Sequence, residues 1–227
     1  MRMRKKKHGA ERIAACAELL IQPPCTPAAE PAPPADPQSW FPVPRPLHLE
    51  IGCGKGDFAV GMAAAHPDCN WIAMERVADV ACLALEKAMR QRDTRPDNLR
   101  FLIGDARRLA ELFPAGSVDC LYLNFSDPWP KSGHARRRLT HPDFLRLYRL
   151  ILRPNGLLRM KTDNRGLFDY SLEQFAAFGM TVEFQTTDLH HSAHAQDNIM
   201  TEYERSFSGQ GQAICSVWAR FGTEKTQ

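Results

Sequence analysis

A short segment, residues 124–139, combines one carboxylate with a lysine and three consecutive arginines. Its sequence is N-F-S-D-P-W-P-K-S-G-H-A-R-R-R-L, in which Asp127 stands between a serine and a Pro-Trp-Pro unit. A carboxylate accepts hydrogen bonds from N–H and O–H donors, whereas lysine and arginine bind phosphates. The segment therefore raises the question of which ligand requires both signs of charge so close together.

Trp129 stands between two prolines. Its ring can stack on a nucleobase, but we favour a packing role in which the ring fixes the loop.

The first predicted strand runs into a glycine-rich loop, in the sequence L-E-I-G-C-G-K-G-D-F. Glycines between a strand and a helix let the backbone approach a ligand at the carboxyl edge of a parallel sheet, although a tight structural turn has the same composition. The dinucleotide-binding fingerprint requires glycine where this chain has Asp57, and the loop has no G-K-S/T of the Walker type. Both phosphate-binding motifs are therefore disfavoured. The glycines of the loop are Gly52, Gly54 and Gly56.

An acidic residue stands at or just beyond the end of each of five successive predicted strands. Carboxylates at these positions repel phosphates and suit a cofactor that carries a sulfonium, a ribose diol and an amino group. Alternatively, each acid caps the helix that follows it, which is credible for any one of them but strained as an explanation of all five. The five residues are Glu50, Glu75, Asp105, Asp127 and Asp163.

Short apolar runs alternate with helical periods from Leu47 onward, a pattern typical of βαβ units. The helix after Thr140 shows the clearest period, and we predict Thr140 as its N-cap. Two late strands are predicted to form an antiparallel pair at the sheet edge, with no helix between them. The fold class is therefore α/β and Rossmann-like, a mostly parallel sheet with an antiparallel edge strand and helices on both faces. Strands are predicted near 47–51, 71–75, 99–103, 118–124, 157–162, 180–187 and 213–221, and helices near 57–65, 78–91, 107–113, 141–152 and 165–178.

Composition and charge predict a cytoplasmic globular protein. Apolar residues make up 44% of the chain, and no apolar run has the length of a membrane span. Seven cysteines without a C-x-x-C pair are typical of reduced thiols, among which Cys53 is predicted to be the exposed one. Residues 1–12 carry a charge of +5, and residues 23–46 contain ten prolines. We therefore predict that this basic and then proline-rich segment, residues 1–46, is largely extended or disordered. Residues 47–227 are predicted to form one domain.

Seven sequence blocks between Leu47 and Phe207 match the pattern of one protein family. They are L-E-I-G-C-G-K-G, A-M-E-R, G-D-A, N-F-S-D-P-W-P-K, L-R-P-N-G, K-T-D-N and N-I-M-T-E-Y-E, and the M-R-M-R-K-K start is also similar. With these blocks the chain resembles the bacterial tRNA (guanine-N7-)-methyltransferase family. The resemblance implies a class I S-adenosylmethionine-dependent methyltransferase. The glycine loop is shared with many methyltransferases, whereas S-D-P-W-P-K and T-E-Y-E are far more specific.

The resemblance implies S-adenosyl-L-methionine as the cofactor, bound at the glycine loop. It places Glu50 near the methionine end, Asp105 near the adenine and Asp127 at the floor of the active site. Glu75 is implied to bind the ribose hydroxyls, a role that also follows from its position at the end of the second strand.

The resemblance also implies tRNA as the partner. Family members commonly carry an additional basic residue in this loop, in the pattern K-x-R-H, whereas this chain has Ser132 and Gly133 before His134. The resemblance therefore does not extend to the strength of the contact between this loop and RNA. The implied substrate-binding residues are Lys131, Asp163, Thr201, Glu202, Tyr203 and Glu204. The implied RNA contacts are Gly133, His134, Arg136, Arg137 and Arg138.

Guanine N7 carries an in-plane lone pair, so its methylation needs no activating base. Asp127 is the predicted catalytic residue, because a carboxylate beside the base stabilises the positive charge that moves onto the purine and accepts hydrogen bonds from N1–H and the exocyclic amine. Asp127 is thus predicted to contact the guanine, whereas the lysine and arginines that follow it bind phosphates. A tRNA substrate therefore accounts for both signs of charge in this segment.

The predicted function is tRNA (guanine-N7-)-methylation at the variable-loop guanine, position 46, by a monomer or homodimer without a second kind of subunit. Two alternatives stay open: a methyltransferase that acts on another RNA or a small amine, and a non-catalytic RNA-binding protein that kept the fold. The three histidines at 190, 191 and 194 have metal-ligand spacing but no evident fourth ligand, so no metal site is predicted.

Overall fold

The computed structural model describes residues 7–22, 34–91 and 97–222. The chain divides into two compact units, Met1–Pro114 and Ala115–Gln227. No helix in these described stretches has the length and apolar character that crossing a bilayer requires.

The first unit is built on three parallel strands, with the middle one paired to both neighbours. Their interior residues are apolar in an almost continuous run, and Leu49, Ile72 and Phe101 are each at most 1% exposed. Such strands are typical of a parallel sheet buried on both faces. The strands are β1 (Leu47–Ile51), β2 (Asn70–Glu75) and β3 (Leu99–Ile103), and the helices are α1 (Gly9–Ala14), α2 (Asp57–Ala65), α3 (Ala78–Arg90) and α4 (Leu109–Leu112).

The N-terminal segment contributes to the first unit. The Arg12 side chain on α1 donates two hydrogen bonds of 2.6 and 2.7 Å to the Glu86 carboxylate on α3. Leu19 is fully buried, and the Ile21 N–H donates to the Phe101 carbonyl at 2.8 Å. Residues 9–21 thus differ from the extended segment predicted, because their apolar side chains join the core. Residues 1–6 and 23–33 lie outside the described residues, so the division at residue 47 stays a prediction.

The second unit contains four strands, of which three run parallel and one runs against them. β4 (Val118–Asn124) pairs in parallel with β5 (Leu152–Thr162), and β7 (Cys215–Phe221) pairs antiparallel with both β5 and β6 (Met180–Thr186). The predicted antiparallel pair of late strands is confirmed, with β7 lying between β5 and the edge strand β6. Within this unit the strand order is β4-β5-β7-β6. The elements of this unit are β4 (Val118–Asn124), α5 (Pro142–Ile151), β5 (Leu152–Thr162), α6 (Arg165–Ala177), β6 (Met180–Thr186), α7 (Glu202–Ser208) and β7 (Cys215–Phe221).

Two local predictions in the second unit are wrong. A helix, α7, lies between the late strands, where none was predicted. The N-cap of α5 is His141 rather than Thr140, since the His141 ring nitrogen accepts from the Asp143 N–H at 3.1 Å. Thr140 is buried instead, with its hydroxyl 2.8 Å from that of Ser171.

The cysteines of the described residues are free thiols. Cys53 is only 7% exposed, so the prediction that it is the accessible one is wrong. The glycine loop turns its side chain inward, and burial raises the pKa of the Cys53 thiol well above its ordinary value. Cys25 lies outside the described residues.

Candidate functional site

The glycine loop after β1 is held in place by its own backbone and by one carboxylate. The N–H groups of Gly52 and Cys53 donate to the Met74 carbonyl at 2.8 and 3.0 Å. The Gly54 N–H donates to Glu75 Oε2 at 3.1 Å, and the other oxygen of Glu75 accepts from the Val77 N–H at 2.9 Å. Glu75 therefore joins the loop to the start of α3, which fixes both relative to the end of β2.

Gly54 and Gly56 need glycine for different reasons. Both have left-handed backbone, with φ of +57° and +81°. A Cβ on Gly54 would meet no atom within 4 Å, whereas a Cβ on Gly56 would lie 3.0 Å from the Ala84 Cβ. The space beside Gly54 is thus open to a ligand, and Gly56 is where the loop packs against α3.

The packing difference predicts unequal stability losses for alanine at these two glycines. Gly54→Ala is expected to lower the free energy of unfolding by about 1–2 kcal/mol, the cost of a left-handed alanine. Gly56→Ala adds an overpacking cost of about 1–3 kcal/mol. Urea unfolding of the two variants measures the difference, and equal losses would contradict the packing role of Gly56.

The remaining acids of the first unit occupy different environments. Glu50, in β1, is 1% exposed. Asp105 caps the 3₁₀ turn Ala106–Arg108 by accepting from the Arg107 N–H at 2.9 Å, so the capping alternative is confirmed for this residue. This capping hydrogen bond uses one carboxylate oxygen of Asp105 and does not involve the other.

The loop that carries Asp127 has unusual backbone geometry. Phe125 and Trp129 both have positive φ, at 51° and 41°, although neither is glycine. The Phe125 N–H donates to the Lys161 carbonyl at 2.9 Å, which ties the start of the loop to β5. Asp127 itself is exposed. Strained backbone of this kind persists where the surroundings hold it, and it clusters at ligand sites.

Trp129 is the centre around which the basic segment is arranged. The Arg137 guanidinium lies 4.8 Å above its ring, and the His134 ring packs edge-on at 5.7 Å. Arg138 donates to the Trp129 carbonyl at 3.0 and 3.3 Å and stacks 4.3 Å above the Tyr170 ring. These contacts support the packing role that we favoured for Trp129.

The predicted RNA contacts differ in how far they reach into solvent. Arg138 is half-buried, and its guanidinium contacts the Trp129 carbonyl and the Tyr170 ring. Arg136 is the opposite case, with a side chain 82% exposed and 3.4 Å from an Asp143 oxygen. Lys131 and Gly133 are exposed at the start of the 3₁₀ helix Ser132–Arg137.

The T-E-Y-E motif forms the first turn of α7. Thr201 is the N-cap and accepts from the Glu204 N–H at 2.9 Å, while Glu204 accepts back from the Thr201 N–H at 3.3 Å. This reciprocal pair is a capping box. Glu202 and Tyr203 are exposed between them. The motif thus directs its two middle side chains outward and its last one inward.

Glu204 is not at the surface, in contrast to its predicted role as a substrate-binding residue. It is fully buried, and Lys161 Nζ lies 2.7 Å from its Oε2. His190 Nε2 and the Asn198 amide lie 2.8 and 2.6 Å from its Oε1. Sequence reasoning missed Lys161, His190 and Asn198 as its partners. The sequence signal that could have indicated a buried ion pair was the lysine of K-T-D-N, which stands at the end of an apolar strand.

Asp163, Tyr203 and Phe125 come together in the second unit from three separate segments. The Tyr203 hydroxyl donates to Asp163 Oδ2 at 3.1 Å, and its ring lies 5.1 Å from that of Phe125. Burial, together with the charge and hydrogen bond of Asp163, raises the pKa of Tyr203. The phenol therefore stays protonated as a donor. Beside them lies an open cleft of about 590 Å³, whose lining includes Asp163, Thr187 and Gln212.

The three neighbouring histidines point to different partners. His190 contacts Glu204, His191 lies 2.9 Å from Asp188, and the His194 ring packs 4.2 Å from that of Trp218. Across the described stretches, no group of three or more histidine, cysteine or acidic residues is placed to hold a metal ion.

Two solved structures with a similar architecture are methyltransferases that act on 16S rRNA. The 16S rRNA methyltransferase KamB is 15% identical, with a TM-score of 0.60 over 82% of this chain and 91% of that chain. A 16S rRNA (adenine(1408)-N(1))-methyltransferase from Catenulisporales acidiphilia is 15% identical, with a TM-score of 0.56 over 98% and 95%. The protein therefore has the class I methyltransferase fold, and the predicted fold class is confirmed.

Sequence relatives narrow this class to one family. The family model described as "Putative methyltransferase" matches residues 44–217. A tRNA (guanine-N(7)-)-methyltransferase of Lactococcus lactis is 42% identical over 99% of this chain and 100% of the relative. Enzymes of the same name from Lacticaseibacillus casei and Streptococcus agalactiae are 47% and 49% identical, over 81% and 78% of this chain and 85% and 82% of their own. The chain belongs to the tRNA (guanine-N(7)-)-methyltransferase family.

Proposed function

We propose that this protein transfers a methyl group from S-adenosyl-L-methionine to N7 of the variable-loop guanine of tRNA, position 46, to give 7-methylguanosine. The observation that carries the proposal is the 42% identity over 99% of the chain to a relative with this activity in its name. The exposed Asp127 loop and the paired Asp163 and Tyr203 are consistent with it.

The first unit supplies the residues that we propose to hold the cofactor. Gly52 and Gly54 face space in which an added Cβ would meet no atom within 4 Å, so the loop leaves room for a ligand. Glu75 is held by the N–H groups of Gly54 and Val77, and we propose that the remaining lone pairs of its carboxylate accept from a ribose diol. When bound, the cofactor supplies an electrophilic methyl group. Glu50, Gly56 and Asp105 complete the proposed set, and Asp127 of the second unit is proposed to contact the cofactor as well.

The second unit supplies the residues that we propose to bind guanine. The N7 lone pair attacks without prior removal of a proton, so the main tasks are alignment and stabilisation of charge. Alignment in a near-attack geometry contributes on the order of 7–11 kcal/mol. Asp127 accepts from the N1–H and amino donors of guanine and stabilises the positive charge on the purine. Asp163, Tyr203, Thr201, Glu202 and Lys131 are proposed to complete the substrate site.

The exposed arginines are proposed to bind tRNA phosphates. Replacing Arg136 and Arg137 together with alanine is expected to weaken tRNA binding and to flatten the slope of log Kd against log salt by about one to two, because each lost phosphate contact removes about 0.7–0.9. Arg138→Ala is expected to lower the melting temperature and leave the slope unchanged, since Arg138 is held by Trp129 and Tyr170. Kd titrations at several salt concentrations measure both effects. An unchanged slope in the double variant would place the phosphates elsewhere.

Residues 47–227 are proposed to form the methyltransferase domain, with tRNA as its partner. The proposal is tested by incubating purified protein with unmodified tRNA transcript and methyl-labelled S-adenosylmethionine, followed by nucleoside digestion and chromatography. Label in 7-methylguanosine is expected. Label in another nucleoside would keep the reaction class and refute the substrate, and no label despite cofactor binding would refute tRNA as the acceptor.

A further inference from the structure

Lys161 is a buried lysine whose three N–H donors are all engaged. Its Nζ lies 2.9 Å from Asn198 Oδ1, 3.0 Å from the Ile199 carbonyl and 2.7 Å from Glu204 Oε2. Its side chain is 8% exposed, and that of Glu204 is fully buried. A buried ion pair is tolerated only when its remaining donors and acceptors are also satisfied. The arrangement meets this condition, so the pair has one defined geometry.

The acid of this pair is equally well enclosed. Burial alone would raise the pKa of Glu204, but the charge of Lys161 and hydrogen bonds from Lys161, His190 and Asn198 lower it below its ordinary value. Glu204 therefore stays ionised near neutral pH. Because it also occupies the N3 position of the capping box of α7, its position fixes the start of that helix.

The contacts of Lys161 connect three parts of the proposed guanine site. Its carbonyl accepts from the Phe125 N–H, at the start of the Asp127 loop. Its ammonium holds Glu204, the residue directly after Tyr203 on α7. Asp163, which accepts from Tyr203, follows Lys161 by two residues along the chain. A shift of the Lys161 side chain would therefore move Tyr203 relative to Asp163 and Phe125.

We infer that Lys161 is a positioning residue for the methyl-acceptor base: through Glu204 and the capping box of α7 it sets the place of Tyr203 against Asp163, without itself touching the substrate. This inference rests on the proposed function. It also gives Glu204 a different role from direct substrate binding, because both of its oxygens are engaged inside the protein. Phosphate-binding arginines supply tRNA affinity, so misplacement of the base-contacting residues affects turnover rather than binding.

The test is Lys161→Met, which keeps the unbranched apolar stem of the side chain and removes the ammonium group with its charge. We expect kcat for tRNA methylation to fall by about tenfold or more, while the Kd values for tRNA and for S-adenosylmethionine stay within about twofold. In the double variant Lys161→Met/Glu204→Gln, which removes both buried charges, we expect part of kcat to return, because the carboxylate is no longer left unpaired.

Leu158→Ala is the matched control for loss of stability. Leu158 is fully buried on the same strand, and its side chain points to the opposite face from that of Lys161. We expect it to lower the melting temperature and leave kcat unchanged below that temperature. An equal loss of kcat in this control, or an unchanged kcat in Lys161→Met, would overturn the inference.

A milder variant keeps the inference testable if Lys161→Met does not fold. Asn198→Ala removes one partner of Lys161 and one of Glu204 but leaves the ion pair in place. We expect a loss of about threefold in kcat at unchanged tRNA affinity, and no loss would contradict the positioning role. Formation of 7-methylguanosine by the wild type is measured first. If the wild type forms no 7-methylguanosine, the proposed function is refuted. If the wild type is active and the variants keep its kcat, only the role of Lys161 is refuted.

Discussion

Replacing Asp127 by alanine is expected to lower kcat for tRNA methylation by about 100-fold or more while tRNA affinity changes little. A preorganised group that stabilises charge developing in the transition state contributes about 100- to 1,000-fold to kcat. Asp127 lies on an exposed loop anchored through the packed Trp129, so its removal takes away the carboxylate without removing core contacts. Single-turnover rates and tRNA titrations measure the two quantities separately.

Asp127→Asn is the control for this variant. The amide keeps the size of the side chain and one acceptor oxygen but loses the negative charge. If charge stabilisation is the main contribution, asparagine loses nearly as much turnover as alanine; if hydrogen bonding is the main contribution, it retains much of it. Equal loss of turnover and tRNA affinity in Asp127→Ala would instead show that Asp127 maintains the loop.

Replacing Glu75 by alanine is expected to weaken S-adenosylmethionine binding by about 100-fold. Two contributions are lost together: the proposed hydrogen bonds to the ribose diol and the bond that holds the Gly54 N–H. Charge-assisted hydrogen bonds are worth about 1.5–3 kcal/mol each, which corresponds to about 10- to 150-fold in affinity. Titration calorimetry with the cofactor measures this loss.

Glu75→Gln separates the two contributions. Glutamine retains a carbonyl that can accept from Gly54 but cannot match a carboxylate as a double acceptor. We expect weakened cofactor binding and a modest loss of stability, because the glutamine NH2 then faces the Val77 N–H that the second carboxylate oxygen accepts from. Glu111→Ala, which removes an exposed carboxylate paired with Arg108 in the same unit, is the matched control and should leave the cofactor Kd unchanged. Normal cofactor affinity in both Glu75 variants would contradict the ribose role.

The regular part of the fold follows from the sequence because each element carries its own signal. Apolar runs such as that of β2 are buried strands. The glycine loop follows the end of β1, and Glu75 stands at the end of β2, as predicted. These features depend on residues that are near neighbours in the chain, so periodicity and turn chemistry are sufficient to find them.

The parts that were missed depend on contacts between distant segments. T-E-Y-E contains a capping box, yet α7 is only seven residues long and its helical period is too short to detect. The burial of Glu204 depends on Lys161, 43 residues earlier, so no local pattern distinguishes it from the exposed Glu202. For the same reason, Arg138 is indistinguishable in sequence from Arg136, although only Arg138 meets Tyr170.

The position of β7 between β5 and β6 has a consequence for the order in which the second unit forms during synthesis. The ribosome releases β5 and β6 before β7, so β5 carries an unpaired edge until the later strand inserts. Glu204, on α7, leaves the ribosome after β6 and before β7, so its ion pair with Lys161 also forms late. The groups proposed to align the base are therefore assembled last, after those proposed to hold the cofactor have left the ribosome.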